Sequence, residues 1–185
     1  MYDTRTGHQL TFPAFAFELE TFTPDSRQVV YGVQGSPGGG GVFVRDLSSK
    51  GPPKWFPANC VAFAQGGSVA AVGTDTTITV LNPHTWVPLR SFPGPGQYTS
   101  LDRLALTRDG RLLVGSTRDG VRVYDTATGW ELAHFHSDDW NGRPDISADG
   151  GMVAFPSDRG VQVWEVGSRD RLMARALFRR LTGRR

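Results

Sequence analysis

The residues best suited to chemistry stand in one short run, HFHSDDW, at 134–140. His134 and His136 are two apart, so on a β-strand both rings leave the same face. Asp138 and Asp139 follow at once. Imidazole and carboxylate together form a donor set for Zn²⁺ or Mn²⁺. A centre needs a further donor brought in from elsewhere, and no suitably spaced partner stands out in the chain. The expectation is therefore no metal site, no bound cofactor and no catalytic residue.

Other candidates reduce to local structure. GSPGGGG at 35–41 has the glycines of a phosphate loop. It lacks the Lys-Ser/Thr ending and opens no helix, so it reads as an extended hairpin connection. No nucleophile, base and orienting group can be assembled into one set. His8 and His84 fall in strand connections and are expected in solvent. Tyr124 and Trp164 end strands and are expected to pack between repeats.

Those residues need a frame, and the totals bound it. At 185 residues, with 38% hydrophobic side chains, the chain can build a core. The single cysteine, Cys60, excludes an internal disulfide. There is no apolar run long enough to span a membrane and no basic-then-apolar leader at the N-terminus, and a cytoplasmic location is expected. The net charge of +2 hides an asymmetry. Residues 168–185 carry seven Arg against Asp170, while the other 167 residues have a net charge of −4.

The frame itself is a repeat. LALTRDGRLLVGSTRDGVRVYDTATG at 104–129 is echoed by PDISADGGMVAFPSDRGVQVWEVGS at 144–168. Two further copies occupy 61–85 and 19–49. The aligned residues Phe22, Phe63, Leu106 and Ile146 are spaced by 41, 43 and 40 positions. A second landmark, Asp46, Asn82, Asp125 and Glu165, is spaced by 36, 43 and 40. Short apolar runs such as VAAV and LLVG fit strands buried on both faces. VRVY and VQVW alternate, and β-branched and aromatic residues dominate them. Asp and Gly between the runs supply turn chemistry. Four short strands in about 40 residues is the unit of a propeller blade.

These turns (TPDS, TRDG, SADG) and strand ends (best in VQVWE) resemble the WD-repeat β-propeller family over residues 2–166. The resemblance implies an all-β propeller with four four-stranded blades, at about 15–57, 58–92, 101–136 and 143–166. It also implies a hairpin-bracing Asp six residues before the strand's final aromatic or its equivalent. Asp75 before Leu81 and Asp158 before Trp164 fit. Before Tyr124 the position holds Arg118, with Asp119 one place late. The family's Gly-His pair is missing, so its His–Asp network is expected to be absent or altered.

Strands are expected at 15–22, 28–32, 41–46 and 53–57 in the first blade. The second has 59–64, 68–73, 77–81 and 86–92; the third has 101–107, 111–115, 120–125 and 130–136. The fourth has 143–147, 151–155 and 160–165, with no outer strand. MYDTRTG at the start matches VYDTATG at 123–129 in five of seven residues. Residues 2–12 thus read as a spare outer strand for the last blade, closing its open edge as the family does. Four blades then suggest either a closed small ring or a half-ring. Two chains joined head-to-tail would make eight blades, each terminal strand completing the other chain's last blade; the competing expectation is that residues 1–185 are the end of a longer protein, or a truncated gene product, with the missing blades upstream.

Residues 168–185 read as a basic amphipathic helix beyond the propeller of 1–167. Ser168 can cap it, Asp170 suits its positive end and Gly183 can stop it. Met173, Ala174, Leu177, Phe178 and Leu181 fall on one face, with Arg175 and Arg179 opposite and Arg180 at the edge. The helix either docks with its arginines in solvent or binds nucleic acid or an anionic membrane. The aligned repeats account for most notable residues without chemistry. The function expected is thus a non-catalytic scaffold for a protein partner, with loops 33–41, 93–100 and 136–143 as contacts and no small-molecule substrate. A metal-dependent enzyme on a propeller face, or an adaptor acting through its basic tail, is the alternative.

Overall fold

The computed structural model describes residues 16–33, 41–49, 51–74, 76–95, 103–136, 143–157 and 160–182. The proposed closing strand at 2–12, the glycine run at 35–40, His8, Asp75, Asp138, Asp139, Asp158 and Gly183 lie outside them.

The first sheet contains β1 (Ala16–Phe22), β2 (Gln28–Val33), β3 (Gly41–Asp46) and β4 (Lys54–Phe56). The second contains β5 (Cys60–Phe63), β6 (Ala70–Gly73), β7 (Thr77–Leu81) and β8 (Pro88–Pro93). The third contains β9 (Arg103–Leu106), β10 (Leu112–Thr117), β11 (Gly120–Asp125) and β12 (Glu131–His136). The fourth contains β13 (Asp145–Ile146), β14 (Met152–Ser157) and β15 (Gly160–Glu165), followed by helix α1 (Arg169–Thr182). Every neighbouring pair is antiparallel, and strand order in each sheet follows chain order. The first strands of successive sheets lie side by side, β5 against β9 and β9 against β13.

Alternation explains the packing. In β10, Leu113 belongs to the core shared with the second sheet, with Ile78, Val80 and Phe92. Its neighbours Leu112 and Val114 belong to the core shared with the fourth sheet, with Ile146, Val153 and Phe155. β6 does the same, with Ala71 facing one way and Ala70 and Val72 the other. A strand sandwiched between two blades has no solvent face, which is why these runs read as continuously apolar.

The turn after each first strand reuses one hydrogen-bond set. Thr107 Oγ1 donates to Asp109 Oδ1 at 2.8 Å and accepts from Leu112 N–H at 3.0 Å; Asp109 Oδ1 also accepts from Arg111 N–H. Thr23–Asp25 and Ser147–Asp149 repeat this set. The second sheet has Ala64 and Gly66 there and borrows from the third: Gly66 N–H donates to Arg108 O, and Ser68 Oγ to Asp109 O. Gly110 sits in this interface at φ +74°, and a Cβ on it would lie 2.4 Å from Val69 Cγ2. Gly67 holds the same backbone shape, but a Cβ on it would meet only Pro24 Cβ, at an ordinary contact distance of 3.8 Å. Gly67→Ala is expected to cost about 1 kcal/mol for the left-handed backbone alone. Gly110→Ala is expected to cost at least twice as much through overpacking, read as the difference in chemical-denaturation midpoints.

The next turn, between third and fourth strands, also recurs. Asp46 accepts from Ser48 N–H and Oγ, Asn82 from His84 and Thr85 N–H, and Asp125 from Thr128 N–H and Oγ1. The structure corrects one alignment. The strand segments starting at Trp86 and Trp130 look equivalent in sequence, but Trp86 N–H bonds Asn82 O as Gly129 N–H bonds Asp125 O. Trp86 therefore occupies the glycine position, at φ +61°, where Gly129 has φ +72°.

Helix α1 docks, and its packed face also differs from expectation. Leu172 and Ala176 are buried, with Met173 packed beside them, whereas Ala174 is exposed and Leu177 is 47% exposed. Arg180, expected at the edge, lies over the Trp130 ring at 4.5 Å. The phase is set by Arg169, whose Nε and Nη2 reach Asp125 Oδ2 at 2.6 and 2.5 Å. Residues 169, 172, 173, 176 and 180 form one stripe at helical spacing.

Candidate functional site

Two features stand out against this frame: an open blade face and a cluster of donor side chains on the third blade.

The fourth sheet ends at β15 among the described residues. On the side away from the third blade, Met152 is 53%, Val161 72% and Val163 57% exposed. The ladder registers make Met152–Glu165 and Ser157–Gly160 the counterparts of Leu112–Asp125 and Thr117–Gly120. The corresponding residues in the third blade, Leu112, Val121 and Val123, are 2%, 0% and 0% exposed. The opposite side of the fourth sheet is covered. Trp164 packs between Phe135 and Phe155, with centroids at 4.6 and 4.7 Å. Tyr124 likewise rests against Phe92 of the second blade, as expected of strand-ending aromatics, and burial pushes its phenol pKa up.

The donor cluster lies at the outer strand of the third blade. His134 and His136 project from β12, and the register opposes them to Arg122 and Gly120 of β11. Asp119, in the tight turn before Gly120, completes a group whose ligand atoms all lie within 4.8 Å of one another. Nε2 of His134 is 3.6 Å from Asp119 Oδ2. The two imidazoles meet edge to face at 5.9 Å. Asp119 is held from behind. Thr117 Oγ1 donates to its Oδ1 at 2.5 Å, and Arg122 Nη2 to its Oδ2 at 2.7 Å. Arg122 also reaches Glu131 at 3.0 Å. Burial raises the Asp119 carboxyl pKa, but the Thr117 and Arg122 bonds outweigh it and hold the group below its ordinary value. Burial likewise lowers the pKa of Arg122, and Glu131 and Asp119 more than restore it.

Sequence reasoning found His134 and His136 but missed Asp119. Asp119 stands fifteen residues earlier, and only the β11–β12 pairing brings it close. A groove of about 240 Å³ opens beside His134, between β12, Glu165, Val166 and the Leu172–Arg175 side of the helix. His84, expected in solvent, is largely exposed but reaches across to Asp25 of the first blade at 3.2 Å.

No protein-family model matches the sequence, and no curated protein matches it. Solved structures do share its fold. One titled "Structure of U3-55K" superposes with a TM-score of 0.65 at 15% identity, over 85% of this chain and 51% of that one. Another, "Crystal structure of RRP9 WD40 repeats", superposes with a TM-score of 0.66 at 16% identity, over 85% and 50%. The fold is that of the WD-repeat β-propellers, and the chain spans about half the length of these structures. The described blades form an open half-ring.

Proposed function

We propose that the chain is a non-catalytic protein-interaction scaffold whose first partner is a second copy of itself. The observation that carries this reading is the exposed trio Met152, Val161 and Val163. Their counterparts form a buried seam between blades, so the exposed face has the chemistry of an inter-blade surface without a covering blade. Terminal repeats of such arrays need a polar outer face or a cap, and this one has neither among the described residues.

A second copy is the proposed cover, one of its blades meeting this face as the fourth blade meets the third within the chain. The chain aligns with half the length of longer propellers, so two copies approach the size of a full one. Residues 2–12, which echo the segment at 123–129, are the proposed fourth strand on β15. With the ring completed, the loops at its rims remain for further protein partners.

The double variant Val161→Asp/Val163→Asp tests the surface. It is expected to convert a dimer to a folded monomer, because charges at a closed apolar seam lose their hydration. A dimer unchanged by it would contradict the reading.

A further inference from the structure

We propose that Asp119, His134 and His136 form a zinc-binding site on the rim of the third blade. The case starts with what the fold does not require. The inward position on the outer strand is Phe in three blades: Phe56 opposite Val42, Phe92 opposite Ile78, and Phe135 opposite Val121. The neighbouring outward position varies: Trp55 opposite Phe43, Ser91 opposite Thr79, and His134 opposite Arg122. The position of His136 is held by Pro93 in the second blade. In that blade, the Thr79 and Ser91 hydroxyls meet at 3.0 Å where the third places Arg122 and His134. A blade thus folds without either histidine.

The geometry then selects the ligand. Two imidazoles on one strand face and a carboxylate from the adjacent turn give an N₂O set, with coordination positions left for water or a partner's donor. The Asp119 carboxylate is already oriented by Thr117 and Arg122, as ligating carboxylates usually are. Asp119 and Glu131 against Arg122 leave one net negative charge beside the two imidazoles, which favours a cation. Tetrahedral zinc with bonds of about 2.0–2.1 Å needs donor atoms roughly 3.4 Å apart. The present spread of up to 4.8 Å would close by rotating the two rings, with His134 Nε2 giving up its 3.3 Å contact with Asp119 O. Buried Cys60, the chain's one thiol, lies in the core between the second and third blades and does not compete.

The test is zinc titration of the untagged chain against a chromogenic zinc indicator. Variants are His134→Ser/His136→Pro, which restores the second blade's residues, and His84→Ala as the control. One zinc per chain is expected for the wild type and the control. The double variant should bind at least tenfold more weakly, with unchanged circular dichroism. Asp119→Asn should weaken binding in the same direction. Absence of wild-type binding at 100-fold excess of metal, or equal binding by the double variant, would overturn the assignment. Oligomeric mass is recorded in parallel, so loss of zinc and loss of the dimer are separately visible.

Discussion

Arg169→Ala should destabilise the protein by about 3 kcal/mol and release helix α1 from the third blade. Asp125, which Arg169 contacts, is fully buried. Its Oδ1 is used by Thr128, while its Oδ2 is bonded by Arg169 at 2.6 Å. Removing the guanidinium leaves half of a buried carboxylate without its charged partner, and breaking such pairs costs roughly 3–5 kcal/mol. The lower end applies because Arg169 itself is partly exposed. The pair also fixes helix register, so the loss should spread to Leu172, Ala176 and the Arg180–Trp130 contact. Arg169→Leu combined with Asp125→Asn should recover much of the stability, since it removes both charges together. Measured unfolding free energies for the two singles and the double form the necessary cycle. A loss below about 0.5 kcal/mol for Arg169→Ala would place the interaction with ordinary surface pairs and undo this account of docking.

Trp86→Ala should cost about 4 kcal/mol, in the range of large core aromatics. The side chain is 3% exposed. It sits against Phe56 at 5.2 Å and Phe63 at 5.7 Å, and its indole N–H donates to Gln28 Oε1 at 2.7 Å. It thereby joins the turn of the second blade to the first. Its backbone, at φ +61°, is a conformation that large L-residues adopt only under constraint. Burial therefore holds the turn in a shape its residue disfavours. A reversal of the usual order follows: Trp86→Gly should be less damaging than Trp86→Ala by up to about 1 kcal/mol, because glycine takes the left-handed shape without strain. For a chain of this size each kcal/mol moves Tm by about 2–4 °C, so thermal unfolding resolves both effects. If alanine proves better than glycine, the backbone strain plays no part.

The sequence made the blade architecture legible because its signals are local. Turn residues and period-two alternation place the third strands of all four blades at 41–46, 77–81, 120–125 and 160–165, where the structure has them. The first strands of the second and fourth blades, 60–63 and 145–146, are shorter than the expected 59–64 and 143–147, and the last strand of the second blade is shifted to 88–93 from the expected 86–92. The misreadings share one cause: each depends on a contact between segments far apart in sequence. Helical periodicity favoured Leu177 and overlooked Leu172, because the phase of α1 is chosen by a pair with Asp125, 44 residues away. Trp86 looked like the counterpart of Trp130, because nothing local announces an aromatic in a glycine position. Asp119 reads as a displaced bracing residue and does accept from Thr117 and Arg122 across its own hairpin, but only strand pairing brings it beside the histidines as well.

If the open face of the fourth blade is an interface, the chain dimerises through Met152, Val161 and Val163. Light scattering on the eluting peak of a size-exclusion column measures this directly. The prediction is a mass of twice the 20.2 kDa chain, stable to dilution through the low micromolar range. A folded species at the mass of one chain throughout that range would contradict it.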